Sequence, residues 1–264
     1  MSSTGTPVAP LPDPAWSWIE HWPAEVQAGS FRQRGLALGT AQVHALGRAN
    51  GVQPARFDAL PDGDRTLRVV EAALDALFAE FPGGAFVRLG SRSAKDTPLG
   101  LASGGQACTG AQALRLLSSG SRRVAHDLAW ALQQQLTPWI WLREWQDIPW
   151  ADEWRCFVRG GRLVGVGQYH AAQVLPSAHA GRARAALPEL WRRAAQLSRA
   201  LARPDFVFDV WLRDAGQAPL LIELNPWGPS TEAGLFEGDA GSEASLRWRP
   251  AAGEVAVEPF SAPS

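Results

Sequence analysis

Apolar residues recur at three- and four-residue spacing over two early stretches. AQVHALGRAN, closed by Gly51, predicts a helix around 40–50, and RTLRVVEAALDALFAEF predicts another around 65–80 that stops at Pro82-Gly83-Gly84. AFVRLG (85–90) reads as a short strand, followed by the polar loop SRSAKDTPLGLASGGQ. Helices are expected from Ala111 to Ser118 and from Ala125 to Gln135, and WIWLREW (139–145) is extended and aromatic. The pattern then shortens to strand periods in EWRCFVRG (153–160) and RLVGVGQYH (162–170), with Gly160-Gly161 as a tight hairpin turn. A helix over 188–202 carries Leu190, Ala194, Leu197 and Leu201 on one stripe, fit to cover a sheet. Two strongly apolar strands follow, FVFDVWL and LLIELNP, and SLRWRP and EVAVEPF in the tail read as edge strands. The fold class is therefore α+β. Residues 1–15, rich in Pro, Ser and Thr, are expected to be a disordered arm. Trp16, Trp18 and Trp22 then pack onto the body, since no basic residues interleave them as in a base-stacking surface.

Composition narrows the function. A net charge of −1 with 46% apolar residues describes a globular protein with no bulk attraction to nucleic acid or membranes. The N-terminus lacks a basic start and an apolar core, so no secretory signal is expected. Cys108 and Cys156 stand far apart without a CxxC, which fits a reducing cytoplasm. Lys95 is the single lysine, every other basic side chain being arginine, and abundant Ala, Gly and Pro point to a GC-rich coding sequence and a bacterial source. A lysine that survives such a bias either meets a need for a compact ammonium or has persisted by chance on the surface; both readings stay open.

The C-terminal strand pair carries the chemistry. Alternation puts Phe206, Phe208, Val210 and Leu212 on one face and Val207, Asp209 and Trp211 on the other. In LLIELNP it puts Leu221, Glu223 and Asn225 together. The short connection RDAGQAP makes the strands antiparallel neighbours, so the acidic faces coincide. Carboxylates inside core-like strands need a cation, and two carboxylates with an amide oxygen form a hard-oxygen set suited to Mg²⁺. The competing reading pairs Asp209 with an arginine and lets Asn225 cap a turn. A metal of this kind sits beside a polyanion, for which Arg88, Lys95 and Arg155 are the phosphate-binding candidates. GLASGG (100–105) is a further, weaker candidate to close over phosphates through its N–H groups. There is no GxxxxGK[ST] loop, no GxGxxG after a strand, no HExxH and no GxSxG elbow.

FVRLGSRSAKDT, RVAHDL, WLREW, EWRCFVRGGRLVGVGQYH, FVFDVWL and LLIELNPWG, in this order and spacing, resemble the cell-division-cycle 123 family of divergent ATP-grasp proteins. The resemblance runs from about Trp16 to Phe236. It implies two lobes with a nucleotide cleft between antiparallel sheets: an N-terminal helical region over 16–84, lobes over 85–145 and 146–240, and a tail over 241–264. It further implies ATP contacts from Arg88 and Arg155 with Glu153 alongside, an adenine hinge of Leu142, Arg143, Glu144 and Trp145, and Mg²⁺ on Asp209, Glu223 and Asn225. Arg88 stands where the family has Lys, Tyr169 where it has Arg, and Glu223 where it has Asp.

Two functions follow from that resemblance. The first is an ATP-dependent carboxylate–amine ligase acting through an acyl phosphate, with Lys95 and Arg155 as the catalytic cations and an unknown acceptor. The alternative is ATP-dependent assembly of a protein partner, as in the eukaryotic relatives that assemble translation initiation factor 2. The bacterial source inferred from composition tilts the expectation toward the ligase.

Overall fold

The computed structural model describes residues 12–214, 216–228, 231–236 and 243–262. The stretch 1–11 of the expected arm lies outside the described residues, whereas Ala15 at its end is fully buried.

β-Branched and aromatic runs assemble into two sheets. The first is antiparallel throughout, in the order β1 (Gln33–Ala37), β4 (Trp139–Glu144), β2 (Ala85–Leu89), β3 (Gln106–Ala107). Its one face packs on α2 (Thr40–Asn50), α3 (Gly63–Phe78), α5 (Gly110–Leu117) and α6 (Arg122–Gln133). Val87, Leu89, Ile140 and Leu142 meet Leu46, Leu74, Leu117 and Leu128 in that core. Gly51 closes α2 in the left-handed region, and Ser121 caps α6 by accepting from the Val124 N–H.

The second sheet runs β10 (Ala256–Pro259), β9 (Ser245–Trp248), β6 (Arg162–Gln168), β5 (Glu153–Arg159), β7 (Phe206–Trp211), β8 (Leu220–Asn225). β6 and β9 pair in parallel, so this sheet is mixed rather than wholly antiparallel as expected. Gly160 and Gly161, both at positive φ, make the β5–β6 hairpin turn. One face of the sheet (Trp154, Cys156, Val158, Phe206, Phe208, Val210) is buried under α7 (Ser177–Leu201) through Leu190, Ala194 and Leu197. α7 starts eleven residues before the expected position, because Pro188 is an interior residue and not its first turn. A proline there forgoes one i→i−4 hydrogen bond, which the alanine-rich flanks and the buried stripe outweigh.

Trp16, Trp18 and Trp22 are buried, and Trp18 meets Trp130 edge-on at 5.3 Å. Short α1 (Ala24–Ala28) leads into β1, and α4 (Pro98–Ala102) lies in the loop after β2. Neither α1, α4 nor β1 has a periodicity long enough to be read from the sequence. The sheets meet where Leu221 N–H donates to Gly29 O (2.9 Å) and the Ser30 hydroxyl donates to Leu221 O (2.6 Å).

Glu20 lies under this junction, accepting from Trp139 N–H and Trp141 Nε1–H, each at 3.1 Å. Burial pushes its carboxyl up to about 7, against the pull of those bonds and of Arg88. The folded state thus binds a proton that the unfolded chain releases near 4.5. Stability from this group is complete below that value and is lost as pH rises through about 7, a change of about 3 kcal/mol. Glu20→Gln is expected to flatten the decline in melting temperature between pH 5 and pH 8; an unaltered slope in that variant would assign the decline elsewhere.

Candidate functional site

Strand pairing builds the site. Arg155 of β5 is opposite Asp209 of β7, and Asp209 is opposite Glu223 of β8, so a cation and two carboxylates form one row across three strands. The row lies on the face away from α7. A bulge falls between Asp209 and Val210, where Val210 pairs with Leu221. It corrects one expectation: Leu221 turns into the α7-side core with Val210 and Leu224, while Glu223 and Asn225 stay beside Asp209.

The bonding is dense. Arg155 grips Asp209 in a fork, Nε to Oδ1 and Nη2 to Oδ2, both 2.8 Å, and its Nη1 donates to Glu232 O at 2.8 Å. Its guanidinium lies 4.8 Å over the Tyr169 ring. The Asn225 amide donates to Asp209 (3.3 Å) and to Glu223 (3.2 Å). From the first sheet, Arg88 reaches Glu223 at 3.1 Å and donates to Leu89 O and Ser91 O. The competing sequence reading, Asp209 on an arginine, is therefore what the folded chain displays, and the same is true of Glu223.

Electrostatics separates the two carboxylates. Burial pushes the Asp209 carboxyl up to about 7 despite Arg155, with Glu223 and Glu153 adding to the rise. Glu223 is held at about 2, because Arg88, Arg155, the Asn225 amide and Lys95 together outweigh its burial. Arg155 is raised above the ordinary guanidinium range, since Asp209 overcomes the burial that opposes it. Arg88 and Arg155 hold Glu223 and Asp209, and Lys95 adds to the positive field on Glu223, so the row brings together cations that a polyanion can draw toward itself.

The other expected residues are placed as follows. Lys95 is exposed, its Nζ 5.4 Å over the Phe86 ring, on a loop pinned by Asp96 to Ser121 Oγ (2.6 Å). Glu153 pairs with His170 at 3.2 Å instead of touching Arg155. Leu142 points into the helical core and Glu144 is exposed. Trp145 is half-buried against Gly104, where a Cβ would come within 3.0 Å of its ring. Arg143 is buried and engaged elsewhere: it donates to Ile222 O (2.7 Å) and Ser30 Oγ (2.6 Å), and stacks 4.5 Å over Phe31. Burial and Arg88 depress its pKa. The expected phosphate-binding role of GLASGG is corrected, because its N–H groups are already used. Gly100 donates to Thr97 Oγ1, Leu101 to Thr97 O, Ser103 to Leu99 O, Gly104 to Leu101 O and Gly105 to Ser103 Oγ.

Among the described residues no three His, Cys, Asp or Glu side chains converge as a metal cluster. Two carboxylates and an amide, both carboxylates held by guanidinium groups, suit a divalent ion only when the guanidinium groups turn to a ligand whose own oxygens complete the shell. A cavity of about 360 Å³ adjoins Arg155, lined by Phe157, Tyr169, His170, Glu232 and Phe236 among others. No helix among the described residues is long and apolar enough to cross a membrane.

Comparison with known proteins places this geometry in context. The D123 family model matches residues 53–241. A translation initiation factor eIF2 assembly protein of Botryotinia fuckeliana is 26% identical over 196 residues, 68% of this chain and 47% of that protein. One of Dictyostelium discoideum is 28% identical over 166 residues, 60% and 42% of the two chains. The chain spans about half the length of these curated relatives. The structure of Cdc123 from Schizosaccharomyces pombe superposes with a TM-score of 0.67 at 21% identity, over 89% of this chain and 96% of that one, which shows a shared fold. These relatives carry eukaryotic-type names, and they lend no support to the bacterial source expected from composition.

Proposed function

The chain belongs to the D123 family, and on that premise we propose that it is a nucleotide-dependent protein-assembly factor, holding MgATP between its sheets as an ATP-grasp protein does. The observation that carries this reading is the Arg155–Asp209–Glu223 row with Asn225 and Arg88, cations and hard-oxygen donors interleaved where the two sheets meet. When bound, Mg²⁺ would neutralise phosphate charge and link it to the carboxylates. The residues would then exchange partners: Arg155 and Arg88 turn to phosphate oxygens, and Asp209, Glu223 and Asn225 are left to hold the ion. Lys95, exposed on its pinned loop and near enough to help hold Glu223 down, would add a point charge. Because Arg88 and Glu223 come from different sheets, ligand held by both would fix the lobes relative to one another, and so shape the surface offered to a partner.

The ligase reading yields to assembly because the relatives are named for assembly of eIF2. The partner proposed here is accordingly a component of that factor, in the cytoplasm. Co-purification with eIF2 subunits, with and without MgATP, tests it. Association is expected to be at least tenfold tighter with MgATP, with no continuing ADP release. Steady ADP release on adding a carboxylate and an amine, without any retained subunit, would instead establish the ligase.

A further inference from the structure

Gln33 opens β1, the edge strand of the first sheet, directly opposite Arg143 of β4, and Phe86 of β2 is opposite Arg143 on its other side. Opposed residues of antiparallel strands share a face, so Gln33, Arg143 and Phe86 form a row. Arg143 shows which face it is, since its side chain bonds the backbone of β8 in the second sheet. Arg32 and Arg34, the neighbours of Gln33, both reach Glu80, as alternation along the strand requires. The row therefore lies on the surface that the first sheet turns toward the second, with Lys95 over the Phe86 end.

Both polar atoms of the Gln33 amide are buried, and neither has a hydrogen-bond partner among the described residues. The same holds for Nε of Arg143. A buried, unpaired amide lowers stability, and native proteins keep such groups where a ligand or water supplies the partner. Here three orphaned atoms belong to residues paired in register on the face where the sheets meet. No hydrogen bond among the described residues uses this amide, so an apolar side chain in its place would remove a desolvation cost.

A carboxamide offers an acceptor and a donor side by side. The edge of adenine offers the complement, its 6-amino group next to a ring nitrogen, and Gln pairs with that edge through two hydrogen bonds. We infer that Gln33 reads the base of an adenine nucleotide held in the site, its amide facing the 6-amino group. This inference rests on the nucleotide reading above and adds to it the residue that recognises the base. It lies outside the segment matched by the family model, which begins at residue 53.

Calorimetry with ATP and with purine riboside triphosphate, which lacks the 6-amino group, separates the possibilities. With Mg²⁺ present, the wild-type chain is expected to prefer ATP about tenfold, one hydrogen bond's worth of discrimination. Gln33→Leu is expected to bind both equally, while the melting temperature of the free protein stays the same or rises. Gln33→Met, closer in shape, is expected to do the same and shows that packing is kept. If either variant binds ATP and retains the tenfold preference, Gln33 does not read the base and this inference fails, with the nucleotide reading intact. A fall in melting temperature with that preference unchanged would make Gln33 a structural residue. Failure of the wild-type chain to bind either nucleotide would sink the nucleotide reading itself.

Discussion

Asp209→Ala is expected to abolish MgATP binding and to lower stability by roughly 3–5 kcal/mol, the usual cost of stranding one member of a buried ion pair. Asp209 is fully buried, and both its oxygens serve Arg155. Without them the guanidinium retains only the Glu232 carbonyl and the Tyr169 ring, and lies next to no carboxylate of its own row except Glu223, already engaged by Arg88. Stability loss alone would therefore say little about function, and two further variants separate the effects. Asn225→Ala gives up two long hydrogen bonds at a half-buried position, so it is expected to cost only about 1 kcal/mol. It should nevertheless lose MgATP affinity as completely as Asp209→Ala, if the two belong to one ligand set as proposed. The paired variant Asp209→Leu with Arg155→Leu is expected to recover most of the lost stability and none of the binding, because apolar pairs replace buried ion pairs well. Denaturant midpoints and calorimetry decide the matter. Wild-type affinity for MgATP in Asp209→Ala and Asn225→Ala would leave the row as a purely structural ion-pair network.

The row itself was legible because it depends on local rules. A six-residue alternation and a short connection force Asp209 and Glu223 to face one another, whatever the rest of the chain does. The bulge at Ile222 was not legible, since it reflects how β8 must bend to present Leu221 and Leu224 to the same core. The role of GLASGG was misread although a signal was present. Thr97-Pro98 is an N-cap followed by a first-turn proline, and it announces a helix whose turns consume the loop's donors. Pro188 shows the reverse error, a helix-start residue that lies deep inside α7. Glu20, Ser30 and Gln33 offered nothing to find, because their significance depends on contacts with strands more than a hundred residues away: Trp139 for Glu20, Leu221 for Ser30, Arg143 for Gln33.

Arg143 is the sharpest case of that limit, and it carries the second large prediction. The resemblance assigns it to an adenine hinge, yet its two Nη groups donate to the carbonyls of Ile222 and Leu221 and to Ser30 Oγ. Those acceptors belong to the edge strand of the other sheet and to the loop that bridges to it. Arg143 is thus the tie that holds β8 against β4, with Phe31 stacked on its flat side. Truncation to alanine would strip the Arg143 bonds from Ile222 O and Ser30 Oγ and leave Leu221 O with the Ser30 hydroxyl as its remaining side-chain donor, and is expected to cost about 3 kcal/mol or more. Lysine is expected to rescue little, because a point charge cannot span acceptors from two segments as a planar fork does. The distinguishing readout is local. Amide exchange of Leu221, whose N–H is bonded to Gly29 O across the junction, should accelerate in Arg143→Ala beyond the change in global stability. Amides of α5 and α6, on the far side of the first sheet, should follow the global change alone. Nucleotide affinity should fall together with Leu221 protection, since Arg88 and Glu223 can share a ligand only while the sheets stay in register. If instead Arg143→Ala loses nucleotide while Leu221 stays protected, the side chain acts on the base and the hinge assignment is restored.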